Sequence, residues 1–181
     1  PTTFFEHITE SEDYDEDEQI DSESILDEFM KVFRPARELR WHYRSHHESL
    51  IAFSNRHFYE NNLIVFPSPI DRHSDYGVRC EYVGGKYKGR KNIEEANQIT
   101  EAAVEFMSTN PNRSLGIVAI NQEQRDFIDE EMDRIFSHNK AVENYRVKWK
   151  NTLYPFFVKN LENVQGDERD VIFISTVYGA D

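Results

Sequence analysis

The sequence predicts an α/β domain, with an open, mostly parallel sheet flanked by helices. Three observations carry this. Leu115-Gly116-Ile117-Val118-Ala119-Ile120 is a continuous apolar run, the pattern of a strand covered on both faces. Phe156 to Lys159 and Val171 to Ser175 read as two further strands. Strands and helix-period stretches alternate along the chain, as they do where parallel strands are joined by crossovers.

The elements follow in order. The chain opens on Pro1-Thr2-Thr3-Phe4-Phe5 without an initiating Met, which predicts a piece of a longer protein. An acidic run from Glu10 to Glu28 comes next and includes Asp15-Glu16-Asp17-Glu18. Such a run repels itself and is expected to be a solvated, flexible segment, the other readings being a nucleic-acid mimic or a partner-binding tail. Near its end, Ser22 followed by Ile25, Leu26, Phe29, Met30 and Phe33 gives a serine cap and helical spacing. A second helix is predicted from about His46 to Tyr59, broken by Asn61-Asn62, with a loop at Pro67-Ser68-Pro69. Val78 to Val83 alternates as a short strand, and Gly84-Gly85 turns the chain. Ile93 to Met107 is the clearest helix, with Ala96, Ile99, Ala103, Val104 and Met107 on one side and Asn110-Pro111-Asn112 ending it. After the Leu115–Ile120 strand, Phe127, Ile128, Met132 and Ile135 support a helix from about Gln122 to Phe136. The polar stretch His138 to Thr152 has weak periodicity and reads as irregular. There is no internal repeat.

A chain of 181 residues suits one domain. The division expected is residues 1–30 as a preceding segment and 31–181 as the domain. Hydrophobic residues at 38% supply a core, and 30% charged residues keep the surface wet. The net charge of −13 is uneven: residues 1–30 hold 12 of the 34 acids and no Lys or Arg. The rest carries 22 acids against 21 bases, a nearly neutral body able to hold a local basic groove. A single cysteine, Cys80, excludes an internal disulfide and any Cys-pair zinc site. No apolar run nears the ~20 residues of a membrane span, and no secretory signal is recognisable. A cytoplasmic setting with no membrane partner is the expectation.

Ligands of open α/β sheets bind at the carboxyl ends of strands, which singles out two polar stretches. One is Leu39-Arg40-Trp41-His42-Tyr43-Arg44-Ser45-His46-His47-Glu48. The other runs from Val158 to Asp170, between two buried strands, where contacts rather than packing belong. These stretches carry a family resemblance. LRWHYRSHHESLIAFSNRHF, residues 39–58, resembles motif IV of superfamily 1 helicases of the nonsense-mediated-decay and Okazaki-maturation type, roughly L-x-x-x-Y-R-x-H and then I-x-x-F-S-N-x-x-F-Y. VKNLENVQGDERDVIFIS, residues 158–175, is similar to their motif V, V-x-T-V-D-x-F-Q-G-R-E-x-D-V-I. Residues 1–5 look like the tail of motif III, and IVAINQEQRDFI, residues 117–128, is similar to I-x-T-P-Y-x-x-Q-x-x-x-I.

The resemblance implies the second, C-terminal RecA-like domain of such a helicase, of P-loop NTPase type but lacking the P-loop, in an ATP-dependent enzyme acting on single-stranded DNA or RNA. It implies that Arg44 is an arginine finger on the γ-phosphate of ATP, a task that suits a permanently charged, forked donor. Glu168 would meet the nucleotide ribose or organise the cleft, with Gln165 and Gly166 shaping the turn. Asn160, Asn163 and Gln124 would face nucleic acid. Where the family has Thr and Asp in motif V, this chain has Asn160 and Glu162; Ala119-Ile120 replaces the Thr-Pro pair, so residue 119 offers no hydroxyl to a phosphate. No G-x-x-x-x-G-K-[ST] loop occurs, Asp129-Glu130 falls in a helical stretch, and the chain stops at Asp181 before any arginine-rich motif VI. ATP and Mg²⁺ would therefore be bound mainly by an N-terminal RecA-like domain of the same parent, leaving the 181-residue piece inactive by itself.

Rival chemistries are weaker. A metal-dependent nuclease would use Asp71, Glu81 and Lys86, but Glu81-Tyr-Val-Gly-Gly-Lys86 breaks the Glu-x-Lys spacing. A zinc site at His42, His46 and His47 has no cysteine to help it. A RecA-like interaction module without catalysis is the main alternative, and it would tolerate loss of Arg44. Lys86-Tyr87-Lys88-Gly89-Arg90-Lys91 sets four cations and a ring within six positions, the mixture of single-strand binders, so Lys86 and Lys88 are nucleic-acid candidates; a solvated basic loop is the plain reading.

Overall fold

The computed structural model describes residues 24–45, 47–67 and 76–178. They fall into two units, one reaching Arg79 and the other starting at Cys80. In the first unit, α1 (Ile25–Val32) is capped by Ser24, whose hydroxyl accepts the Asp27 N–H at 3.2 Å. The cap is therefore two residues later than Ser22, which lies outside the described residues together with most of the acidic run. Helix α2 (Ser49–Phe58) starts after His46, itself outside the described residues, because His47 Nδ1 accepts the Ser49 N–H at 3.2 Å and leaves residues 47 and 48 as the entry turn. Two successive left-handed residues, Glu60 and Asn61, end it where the Asn pair predicts a break. Among the described residues of this unit none is buried, so its apolar side chains build no core of their own.

The second unit holds the core. Helix α3 (Ile93–Thr109) leads into β1 (Leu115–Ala119), all five residues of which are buried. Next come α4 (Gln122–His138), α5 (Lys140–Lys150), β2 (Phe157–Asn160) and β3 (Val171–Ser175). The sheet order is β2-β1-β3 and both pairings are parallel. Strand β1 is thus the centre of the open, parallel, helix-flanked sheet of RecA-like type that the apolar runs predict. The three helices pack against one another, and α3 and α4 pack onto this sheet. Ala96, Ala103 and Met107 of α3, with Ile128 and Met132 of α4, close over Leu115, Ile117 and Ala119. Gly116 is required here, since a Cβ would run into the ring of Phe157 in the neighbouring strand.

Two expectations are corrected. His138 to Thr152 is not irregular: Asn139 accepts the N–H groups of Ala141 and Val142 and starts α5. Only Val142, Tyr145 and Trp149 face inward, a stripe too thin to stand out against eight other residues. The strand expected at Val78–Val83 does not form. The exposed Val78 and Tyr82 bury nothing that would hold a further strand.

Candidate functional site

Register puts Ala119, Asn160 and Ser175 level with one another, so the strands share one carboxyl edge. Gln124, near the start of α4, is completely buried at that edge. Its Oε1 accepts the Asn92 N–H at 2.9 Å, and its Nε2 donates to the Asn92 carbonyl at 3.0 Å and to Ser175 Oγ at 3.2 Å. Ser175 in turn donates to Glu95 Oε1 at 2.8 Å. Gln124 therefore presents nothing to a strand of nucleic acid; it ties the starts of α3 and α4 to the end of β3. The expectation that it contacts the strand gives way to a positioning role. Asn92, Glu95 and Ser175 were not singled out from the sequence, although Asn92 followed three residues later by Glu95 is a capping-box signal.

Asn160, at the end of β2, is only 8% exposed. Its Nδ2 donates to Gln122 Oε1 at 3.0 Å and to Glu162 Oε2 at 2.7 Å, while its Oδ1 is buried without a partner. Both amide protons are committed, so none is left for a phosphate oxygen in this conformation. Asn163 follows at the end of a single 3-10 turn and is exposed.

From there the chain from Leu161 to Asp170 crosses to the opposite edge of the sheet, because β3 runs parallel to β2. Lys159 pairs with Asp167 at 2.5 Å on the way. Gly166 has φ +89°, which favours glycine although the space around it is open. Arg169, 4% exposed at its side chain, donates from Nε and Nη2 to the Pro155 carbonyl at 2.9 and 2.7 Å and lies 4.6 Å over the Phe157 ring. Burial pulls its pKa below the ordinary arginine value. Asp170 accepts from both the N–H and the hydroxyl of Ser114 at 2.7 and 2.8 Å. Pro155, Ser114 and Asp170 all precede strands, so this cluster marks the amino edge. Glu168 is exposed there, with the Tyr154 hydroxyl 3.5 Å from its Oε1; Gln165 is exposed as well. The polar stretch between β2 and β3 thus has contacts at both edges.

The basic loop belongs to the carboxyl edge. Asn121, the cap of α4, donates to the Arg90 carbonyl at 3.0 Å, and Arg90 pairs with Glu123 at 2.8 Å. Lys86 and Lys88 are exposed, and neither ammonium pairs with a described residue. In the first unit, Arg44 is exposed and likewise makes no ion pair with a described residue. It lies within a tight turn in which His42 Nε2 accepts the Ser45 N–H at 3.0 Å.

The rival sites find no support in this arrangement. His42 and His47 each cap a local turn, and Asp71 lies outside the described residues. Asp129 and Glu130 are in α4, not at a strand end, and Asp129 sits 3.7 Å from Arg125. Among the described residues no cluster of His, Cys, Asp or Glu could hold a metal ion, so Mg²⁺ has no fitting ligand set in them. No helix among them is long and apolar enough to cross a membrane.

Comparison with known proteins gives two results. The AAA domain family matches residues 22–180. An uncharacterized ATP-dependent helicase of Mycoplasma genitalium is 32% identical over 98% of this chain, and its Mycoplasma pneumoniae homologue is 30% identical over the same share. The chain spans 16% of the length of each of these relatives.

Proposed function

Because the chain belongs to the AAA domain family, we propose that it is the second RecA-like domain of an ATP-dependent superfamily 1 helicase acting on single-stranded nucleic acid. The observation that carries this reading is the Leu161–Asp170 crossover, anchored at both edges of the sheet. At one end Asn163 stands beside the carboxyl edge, with the basic loop of Lys86 and Lys88 tied to the same edge through Asn121. At the other, Glu168 is held at the amino edge by the Arg169 clamp. A strand of nucleic acid at the first and a nucleotide at the second would bias one rigid segment, which is what coupling between two sites requires. Asn160 serves this segment as a positioning residue, since its donors go to Gln122 and Glu162.

In this reading Arg44 reaches the γ-phosphate of ATP held by a partner RecA-like domain of the parent chain. Its guanidinium spreads positive charge over the oxygens that gain charge as the phosphoryl group departs, and it needs no proton transfer to do so. The exposure of Arg44 suits a residue that engages a partner domain. Gln165 and Gly166 shape the approach to Glu168. In this reading the described residues supply one wall of the site.

The split of the crossover is tested with two variants of the full-length protein. Glu168→Gln should raise the KM for ATP about tenfold, a loss of ~1.4 kcal/mol as for one charge-assisted hydrogen bond, and leave strand affinity unchanged. Asn163→Ala should weaken strand binding and leave the KM for ATP alone. If both variants move the same parameter, the two-edge assignment fails. The docking-module alternative draws on the uncovered apolar side chains of α1, and it predicts that neither variant changes turnover.

A further inference from the structure

The carboxyl edge carries a pair of tyrosines that the reading above does not use. Tyr87 lies in the basic loop and Tyr178 just beyond β3, and their rings meet with centroids 5.2 Å apart at 50°. Tyr178 remains 60% exposed. Lys86 and Lys88 flank Tyr87, both exposed and without a described partner.

Strained backbone holds both rings where they are. Lys88 and Lys91 exchange backbone hydrogen bonds around Gly89 and Arg90, whose φ angles are +60° and +64°. Positive φ at both central residues is the mirror-image hairpin turn, usual with Asn or Gly but not Arg at the second position. Arg90 is kept there by its ion pair to Glu123 and by the Asn121 amide on its carbonyl. On the other side, Val177 has φ +69° and is fully buried, with its N–H donated to Glu95 Oε1 at 3.1 Å. A β-branched residue with positive φ is a true outlier, and such residues persist where the surroundings over-determine them, often beside a ligand. A tyrosine needed only to cover the sheet end would not have to keep most of its surface in water.

We propose that Tyr178, backed by Tyr87, is a stacking platform for a base of single-stranded nucleic acid, with Lys86 and Lys88 on the adjoining phosphates. It rests on the nucleic-acid reading above and adds a subsite to it. A ring face accepts any base, while two exposed ammonium groups beside it suit the backbone that carries the base. An acidic polypeptide would use the lysines and leave the rings idle.

The test is fluorescence anisotropy of the 181-residue chain with a labelled short oligothymidylate, the same oligomer bearing abasic sites, and poly-glutamate as competitor. Tyr178→Ala and Tyr87→Ala should each weaken oligothymidylate binding about tenfold. Tyr178→Phe should bind as the wild type does, which separates loss of stacking from loss of fold. On the abasic oligomer, wild type and Tyr178→Ala should bind equally. Wild-type affinity for oligothymidylate in Tyr178→Ala would overturn the platform and leave the nucleic-acid reading standing. Absence of wild-type binding to either oligomer at low salt would overturn both. Poly-glutamate competing as well as oligothymidylate would overturn the choice of partner in favour of an acidic protein.

Discussion

Gln124 shows how far a residue's role depends on where its polar atoms go. Its carboxamide satisfies both backbone groups of Asn92, which is itself buried, and reaches Ser175 as well. Gln124→Ala leaves the buried Asn92 N–H unpaired, while the Asn92 carbonyl keeps the Ala96 N–H at 3.0 Å, at a cost of about 2 kcal/mol, which a shift in the urea unfolding midpoint of the chain will register. Tyr145 makes a comparable statement about pH. Burial pushes its pKa well above the ordinary tyrosine value, and its hydroxyl donates to the Arg113 carbonyl at 2.6 Å. An acid whose pKa is raised on folding contributes stability that is complete below its unfolded value, about 10, and lost as pH rises beyond it. Thermal stability should therefore fall between pH 10 and 11 more steeply in wild type than in Tyr145→Phe. Equal slopes would mean that the phenol ionises as freely folded as unfolded.

At the scale of elements, legibility followed burial pattern. Strand β1 was plain because all five of its residues are apolar and buried, and α3 and α4 because their inward stripes are broad. Helix α5 was hidden because its inward face is three residues wide, while Arg146 covers Phe136 at 4.4 Å with a charged group that reads as surface. The alternation at Val78–Val83 is a true period-two pattern, but Val78 and Tyr82 stay exposed, and periodicity does not say whether a face finds anything to pack against. The site was legible to the same degree. Motif spacing pointed to Arg44, Asn163, Gln165 and Glu168, all exposed in the structure. It could not distinguish the buried Gln124 and Asn160 from them, nor find Arg169, since hydrogen-bond partners 14 to 51 residues away leave no local signal. Close packing between strands is the element-scale prediction. Gly116→Ala drives a methyl group into the Phe157 ring and should cost about 1–3 kcal/mol, as overpacking does, again as a lower urea midpoint. Unchanged stability would show that the β1–β2 contact is slack.

For the whole molecule, the account rests on division of labour. The described residues provide a parallel sheet, a crossover fixed at both of its edges, a basic edge loop and an exposed arginine on a separate unit. They provide no phosphate loop and no magnesium ligands. We propose that this set forms one side of a shared nucleotide site. The most direct measurement of that claim is strand-stimulated ATP hydrolysis by the full-length protein, wild type against Arg44→Ala, with nucleotide binding followed in parallel. The account predicts that turnover falls about 10³-fold or more while nucleotide binding is retained, as for loss of an arginine finger. Unchanged turnover would contradict it, leaving Arg44 as a surface residue and the domain as a docking module.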